Sequence, residues 1–147
     1  MKNILSLAFS AIVLVAVYAF TNPSVDFKAD AAEGIQFHRG TWNEALAQAK
    51  EENKLIFLDI YASWCGPCKQ LKKKTFSDSE VGEYYNKNFI NAAFDGEKGE
   101  GAMLARKYRI SAYPSLLFID GNGNVIGKAL GYHSPNEIIE LANKYLD

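Results

Sequence analysis

The pattern of apolar and polar positions divides the chain into two unlike parts. Residues 4–20 are almost continuously apolar, whereas residues 20–34 (FTNPSVDFKADAAEG) are small and polar without a period. From Ile35 onward, apolar positions recur at the spacings that are typical of helices and strands. The pattern therefore predicts one folded domain over residues 35–147, preceded by a linker over residues 20–34.

Helices are predicted where apolar residues recur every three or four positions after a capping signal. Three helix starts place a hydroxyl three residues before a carboxylate, as a capping box requires: Thr41 with Glu44, Ser77 with Glu80, and Ser134 with Glu137. The last of these helices has Pro135 at its first position, where the missing N–H is harmless. Further helices are predicted after Cys65 and over Glu100–Tyr108.

Four apolar runs have the length of strands: Leu55–Tyr61, Phe89–Phe94, Leu116–Ile119 and Val125–Leu130. The first run begins with four consecutive apolar residues (LIFL), which is typical of a central strand that is covered on both faces. The last two flank the turn residues Asp120–Asn124 and are predicted to form an antiparallel hairpin. We also predict a short strand at Ile35–His38. The alternation of elements predicts an α/β fold, with a central mixed β-sheet flanked by helices on both faces.

Residues 1–19 have the features of a signal peptide. Lys2 precedes the apolar run, and Val17–Ala19 offers small side chains at the spacing that a signal peptidase accepts. An uncleaved anchor is the alternative, although the run is short for the roughly 20 residues that span a bilayer. We therefore expect export to the periplasm or the cell exterior, an oxidising environment, with tethering by the uncleaved segment as the alternative.

The amino-acid composition indicates an ordinary globular protein but does not indicate a function. Of the 147 residues, 48% are hydrophobic and 22% are charged, and the formal net charge is −1. These values are ordinary for one globular domain. The near-zero net charge does not indicate the basic surface that binds nucleic acid. We expect a monomer that binds no nucleic acid. Two cysteines cannot build a disulfide-rich scaffold, so their spacing becomes the informative feature.

Cys65 and Cys68 form a Cys-x-x-Cys motif between the predicted central strand and the next helix. Unpaired N–H groups and the helix dipole at a helix N-terminus favour a thiolate, so we expect Cys65 to be an exposed nucleophile. Cys68 lies one turn further along, close enough to form a disulfide with Cys65 and to expel a bound partner. Pro67 supplies a helix-compatible φ and stiffens the motif.

Two other uses of the cysteines are open. A structural disulfide between Cys65 and Cys68 closes so short a loop that it constrains the unfolded chain little. A zinc site needs four ligands, and two thiolates supply half of them. The two histidines, His38 and His133, are far apart in the chain and do not have the spacing of a zinc pair. Redox chemistry is therefore the favoured interpretation, and no metal site is predicted.

Residues 54–69 (KLIFLDIYASWCGPCK) and 106–119 (RKYRISAYPSLLFI) resemble the thioredoxin superfamily, and the likeness extends over residues 35–147. Within it, the chain is most similar to the secreted thioredoxin-like disulfide reductases of bacterial envelopes. The resemblance implies a thioredoxin fold in which Cys65 attacks and Cys68 resolves, with no cofactor beyond their redox-active disulfide. It also implies substrate binding by residues beside the motif and in a second loop: Trp64, Gly66, Pro67, Tyr113 and Pro114.

Asp59 is the charged residue of the predicted central strand. Because an ionised carboxylate is costly to bury, we expect its pKa to rise, which makes it a candidate proton acceptor for Cys68. A half-solvated, structural acid at the strand end is the alternative. The resemblance places a buried acid at Asp59. It also implies that the Tyr113–Pro114 peptide bond is cis and that the Tyr113 backbone faces a docked substrate chain.

The chain departs from thioredoxins at three places. Asn91 stands where they carry a lysine that pairs with the buried acid, and Tyr61 stands where they have tryptophan. The loop Asp95–Gly101 (DGEKGEG) is longer than in small thioredoxins, and no Gly-Lys-Ser/Thr sequence follows its glycines to bind phosphate. The Asn91 departure bears directly on how Asp59 handles a proton.

The sequence thus predicts an exported thiol–disulfide oxidoreductase that reduces protein disulfides with the Cys65/Cys68 dithiol. The expected partners are disulfide-containing proteins and, as electron donor, a membrane-embedded thiol conduit. Three alternatives remain at this point: a disulfide oxidase, a disulfide isomerase, and a non-catalytic thioredoxin-fold module that binds a partner or a metal.

Overall fold

The computed structural model describes residues 33–146, which form a four-stranded sheet with helices packed against it. The helices are α1 (Trp42–Glu52), α2 (Gly66–Gln70), α3 (Ser79–Asn88), α4 (Gly99–Lys107) and α5 (Pro135–Leu146). A π-helical turn, Leu71–Thr75, follows α2 directly. The strands are β1 (Leu55–Tyr61), β2 (Phe89–Asp95), β3 (Ser115–Ile119) and β4 (Val125–Leu130).

The predicted signal peptide, residues 1–19, lies outside the described residues, as does the predicted linker apart from Glu33 and Gly34. Gly34 is already buried against the domain, one residue before the predicted domain start. Within residues 33–146, no helix is long and apolar enough to cross a membrane.

Strand β1 lies in the interior of the sheet, whose order is β2-β1-β3-β4. It pairs parallel with β2 and antiparallel with β3, and β3 pairs antiparallel with β4 as the hairpin prediction requires. Every residue of β1 after Leu55 is buried, because strands cover both edges and helices cover both faces. The predicted mixed sheet with a central, doubly covered strand is confirmed.

Side chains alternate across β1 and divide the core into two clusters. Phe57 points toward α3 and α5, where it packs with Tyr85 and Ile138. Leu58 points to the opposite face and packs with the buried residues of α1 and α4, including Ala45 and Leu104. Helices therefore cover both faces of the sheet, as the sequence predicts.

The predicted strand at Ile35–His38 is wrong. This segment is extended, but its N–H groups bond to three different parts of the chain instead of to one strand. Ile35 donates to the Phe76 carbonyl at 2.7 Å, Gln36 to the Asn86 side chain at 2.8 Å, and His38 to the Asn91 carbonyl at 2.7 Å. A ladder needs successive bonds to one neighbour, so no strand forms.

The capping predictions are correct at α1 and one residue off at α3. Thr41 and Glu44 form a complete capping box. Asp78, not Ser77, caps α3, and its carboxylate accepts from the N–H groups of Glu80 and Val81 at 3.0 Å. The Ser77 hydroxyl is occupied elsewhere, because it donates to the Lys73 carbonyl at 2.6 Å.

The cap of α5 is a partial form of the predicted box. The Glu137 carboxylate accepts from both the N–H and the hydroxyl of Ser134, at 2.7 Å each. Pro135 occupies the first position of this helix, as predicted.

Helix α3 approaches residues 33–34 closely at Gly82, and this contact can be tested by mutation. A Cβ on Gly82 would lie 2.5 Å from the Glu33 carbonyl oxygen and 2.6 Å from the Gly34 carbonyl carbon. Helix propensity alone favours alanine over glycine by about 1 kcal/mol. We expect the backbone clash to win, so that Gly82→Ala lowers the free energy of unfolding by about 1–3 kcal/mol.

Urea unfolding checks this expectation, and Glu83→Ala, at the adjacent exposed position of α3, is the matched control. The control should stay within about 0.5 kcal/mol of the wild type. A Gly82→Ala protein that is more stable than the wild type would show that residues 33–34 do not pack on α3.

Candidate active site

The cysteine motif begins where β1 leaves the sheet. Cys65 is the N-cap of α2 and has an extended backbone, with φ −73° and ψ 115°. Its sulfur accepts from the Cys68 N–H at 3.2 Å, which satisfies one of the N–H groups that a helix start leaves unpaired. Pro67 lies in the first turn of α2, where it has no N–H to leave unpaired.

Cys65 and Cys68 are joined by a disulfide, with their Cα atoms 5.3 Å apart. Both are buried, with exposed fractions of 3% for Cys65 and 4% for Cys68. The expectation of an exposed Cys65 is therefore wrong for the disulfide form. The reason is local packing, because both cysteines cluster with Tyr61 and Ala62, and Tyr113 packs against this cluster.

Asp59 is buried in β1, with 5% of its surface exposed. Strand alternation places it on the same face as Phe57 and Tyr61, so it lies between the larger core cluster and the cysteines. Its Oδ1 atom has no hydrogen-bond partner among residues 33–146. Burial raises the pKa of Asp59 from 3.8 to about 7. The predicted rise is confirmed, and the half-solvated alternative is wrong.

Asn91 shares that face of the sheet, since it is the register partner of Phe57 on β2. Its side chain donates to the Asn86 side-chain oxygen at 3.1 Å. The position that carries a lysine in thioredoxins therefore supplies no positive charge here. Desolvation is accordingly the cause of the raised pKa of Asp59, without an opposing charge to lower it.

The second predicted loop reaches the cysteines through Tyr113. The Tyr113–Pro114 peptide bond is cis, as the resemblance implies. The Tyr113 ring packs against the cysteine cluster and meets the Trp64 ring edge-on, with centroids 6.1 Å apart. The Pro114 carbonyl accepts from the Gly131 N–H at 3.0 Å, which ties this loop to the end of β4.

Three predicted binding residues lie at the surface beside the disulfide. Trp64 is 65% exposed, and Gly66 and Pro67 are exposed at the start of α2. A Cβ on Gly66 would meet no other atom within 4 Å, so the surface above the first turn of α2 is open. The structure thus brings together a buried disulfide, a buried acid and an exposed rim.

One residue of this rim was missed in the sequence. The Trp64 indole N–H donates to a Glu97 carboxylate oxygen at 3.0 Å, from the loop that follows β2. Strands β1 and β2 are parallel, so their carboxyl ends meet at one edge of the sheet. That rule was a signal for Glu97, because its loop leaves β2 where Trp64 leaves β1.

No metal centre is formed within residues 33–146, where no three His, Cys, Asp or Glu side chains are grouped to hold an ion. The two histidines are at opposite edges of the sheet. The His38 N–H bonds to β2, whereas His133 follows β4 with its Nδ1 atom 3.1 Å from the Gly131 carbonyl oxygen.

Comparisons with known proteins agree with this geometry. The "Thiol:disulfide interchange protein DsbD" of Yersinia pestis (strain Pestoides F) is 39% identical over 85 residues, which is 57% of this chain and 14% of the relative's length. A solution structure of a proposed disulphide isomerase from Bacteroides thetaiotaomicron is 42% identical, with a TM-score of 0.69. That match covers 79% of this chain and 96% of the other.

A thioredoxin from Thermus thermophilus shares the fold, with a TM-score of 0.64 and 24% identity over 71% of this chain and 82% of its own. These comparisons confirm the predicted class of enzyme, a thioredoxin-like thiol–disulfide oxidoreductase. Residues 42–146 match the family model described as a thioredoxin-like domain. The chain therefore belongs to the thioredoxin-like domain family.

Proposed function

We propose that this protein is an exported reductase of protein disulfides. The observation that carries the proposal is a Cys65–Cys68 disulfide at a helix start, on the face of the sheet that also holds a buried acid. A structural disulfide with so short a loop would stabilise the fold little, and it would not need an acid nearby. A redox couple uses both features.

The proposed reaction transfers two electrons from the dithiol to a substrate disulfide. The Cys65 thiolate attacks one substrate sulfur, which forms a mixed disulfide and releases the other substrate sulfur as a thiolate. Cys68 then attacks the Cys65 sulfur, re-forms the intramolecular disulfide and releases the second substrate thiolate. The Cys68 N–H, which points at the Cys65 sulfur, supports negative charge on Cys65 in the reduced protein.

Asp59 is proposed as the proton acceptor that makes Cys68 a nucleophile. A carboxyl with a pKa of about 7 is partly ionised at neutral pH, so it can take a proton and give it back under working conditions. With Asn91 in place of a lysine, no ammonium group on β2 stabilises the ionised form of Asp59.

Substrate docking is proposed at the rim formed by the residues beside the disulfide and by the Tyr113–Pro114 loop. Trp64, Gly66 and Pro67 offer exposed surface, and the cis peptide bond follows Tyr113, which packs against the cysteine cluster. An extended substrate segment laid across this rim brings its own sulfur to Cys65.

Export and electron supply belong to the same proposal. Lys2, the apolar run that follows it and Val17–Ala19 support a signal peptide over residues 1–19, with an uncleaved anchor as the alternative. A reductant in the periplasm or outside the cell needs recharging, which we assign to a membrane-embedded thiol conduit. The likeness to a thiol:disulfide interchange protein supports thiol exchange as the means of supply.

A disulfide isomerase is the second candidate function. The structure that is 42% identical carries that proposed activity, and an isomerase uses the same attack by a Cys-x-x-Cys thiolate. The two functions differ in what Cys68 does. A reductase resolves the mixed disulfide with Cys68, whereas an isomerase leaves the attack to another substrate thiol.

Removal of each cysteine tests the proposal. In insulin reduction with dithiothreitol, Cys65→Ser should lower turnover to the rate of dithiothreitol alone, because the attacking sulfur is gone. In a separate reaction, Cys68→Ser protein that has been reduced and freed of dithiothreitol should retain the attack and accumulate mixed disulfides, which non-reducing electrophoresis and mass spectrometry detect. Wild-type turnover in Cys65→Ser would contradict the enzyme and favour a binding module. Refolding of a protein with scrambled disulfides by Cys68→Ser at the wild-type rate, without trapped mixed disulfides, would favour the isomerase.

We expect Asp59→Asn to change the pH dependence of the free energy of unfolding. The pKa of Asp59 is raised in the folded state, so the folded protein binds an extra proton between about pH 4 and pH 7 and loses stability as the pH rises through that window. The wild type therefore bears a penalty above pH 7 that the variant lacks. We expect Asp59→Asn to be more stable by about 2–4 kcal/mol at pH 8 and equal near pH 4.

Urea unfolding of the oxidised protein between pH 4 and pH 8 measures this difference, and Glu51→Gln, at an exposed position of α1, is the control with a parallel curve. Insulin reduction by the same variant tests the proton transfer separately. Turnover should fall most at low pH, where thiolate is scarce. A stability gain with unchanged turnover between pH 5 and pH 8 would make Asp59 a structural residue only.

A further inference from the structure

The loop between β2 and α4 is held firmly against the cysteine site. The Gly96 N–H donates to the Tyr61 carbonyl at 2.8 Å, and the Glu97 N–H donates to the Asp95 side chain at 3.0 Å. Gly96 has no room for a side chain, because a Cβ there would lie 2.7 Å from the Tyr113 ring and 2.8 Å from Ile60. The two preceding residues, Asp95 and Gly96, therefore fix the position of Glu97.

The Glu97 carboxylate lies at the edge of the proposed docking rim. It accepts the Trp64 indole N–H at 3.0 Å, and Trp64 is the residue before Cys65. The same indole meets the Tyr113 ring edge-on. A segment that crosses from Trp64 to Tyr113 to reach Cys65 thus passes the carboxylate.

The negative charge of Glu97 is not neutralised by its neighbours. Lys98 is 3.5 Å from Asp95, and the Glu100 carboxylate accepts the Trp42 N–H at 3.1 Å. Among residues 33–146, no lysine or arginine forms an ion pair with Glu97. The charge is felt at the rim, since burial first and then Glu97 and Asp95 raise the pKa of Tyr113.

We propose that Glu97 is a specificity-determining residue that favours substrate segments with a basic side chain beside the target disulfide. The inference rests on the proposed reductase function. A lysine or arginine next to the substrate cysteine pairs with the Glu97 carboxylate, whereas an aspartate or glutamate there is repelled. Because the carboxylate is exposed, the preference is modest and weakens with salt.

A purely structural role for Glu97 makes a different prediction. If Glu97 only holds the Trp64 indole in place, its loss affects all substrates alike. Glu97→Gln separates the two roles, because the amide oxygen still accepts the indole N–H but carries no charge. The readout is the ratio of rates for substrates of different charge, which a change in overall rate leaves untouched.

The experiment uses three disulfide-linked peptides that differ at one position beside the cysteine, with arginine, glutamine or glutamate. The kcat/KM for each is measured with the reduced protein at low salt and at about 0.5 M salt, roughly three times the physiological concentration. We expect the wild type to favour the arginine peptide over the glutamine peptide by about two- to five-fold at low salt. The preference should disappear in Glu97→Gln and shrink at high salt.

Glu140→Gln, which removes one exposed charge from α5, is the matched control and should keep the wild-type ratio. Equal rates for all three peptides in the wild type would overturn the proposal. A ratio that persists in Glu97→Gln would overturn it too, as would a uniform fall in all three rates with the ratio unchanged. If the wild type reduces none of the peptides, the reductase function fails and the proposal fails with it; uniform reduction leaves that function standing.

Discussion

Strand β1 is covered on both faces and paired along both edges. This burial fixes the positions of Asp59, which lies in the strand, and of the cysteine motif, which follows it. Each fully buried apolar side chain of the strand, such as Ile56 or Phe57, stabilises the fold by about 1.5–3 kcal/mol. Together these side chains outweigh the desolvation of Asp59, which its pKa of about 7 sets at about 4 kcal/mol. The strand can therefore carry a buried acid to the place where the chain turns into the cysteine helix.

The protonation of Asp59 depends on the burial of its carboxyl group. The disulfide and Asp59 lie on one face of the sheet, and no lysine or arginine among residues 33–146 forms an ion pair with the Asp59 carboxyl. Burial therefore controls the protonation of Asp59. Asn91 matters for the same reason, because its amide is turned toward Asn86 and offers Asp59 no opposing charge.

The sequence predicts the elements well because local signals and the global fold agree. The consecutive apolar residues LIFL at the start of Leu55–Tyr61 identify the central strand, and the Cys-x-x-Cys spacing identifies the redox site. Three features depend on contacts between distant segments and were beyond local reasoning. These are the burial of Cys65 in a cluster against which Tyr113 packs, the bonding of Ile35–His38 to three partners, and the Trp64–Glu97 hydrogen bond. Asp78 displaced Ser77 as a cap because two capping residues are adjacent and one hydroxyl is occupied elsewhere.

In the proposed function, the Cys65–Cys68 pair donates electrons to protein disulfides. Gly66 and Pro67 place no charge-stabilising donor between the cysteines, so the reduced form is not strongly favoured and the pair should be reducing. The most direct measurement is the equilibrium of the purified protein with glutathione buffers of known ratio, which gives the reduction potential of the pair. We expect a potential close to that of thioredoxin, about −270 mV. A potential above about −180 mV, in the range of protein disulfide isomerase, would contradict it.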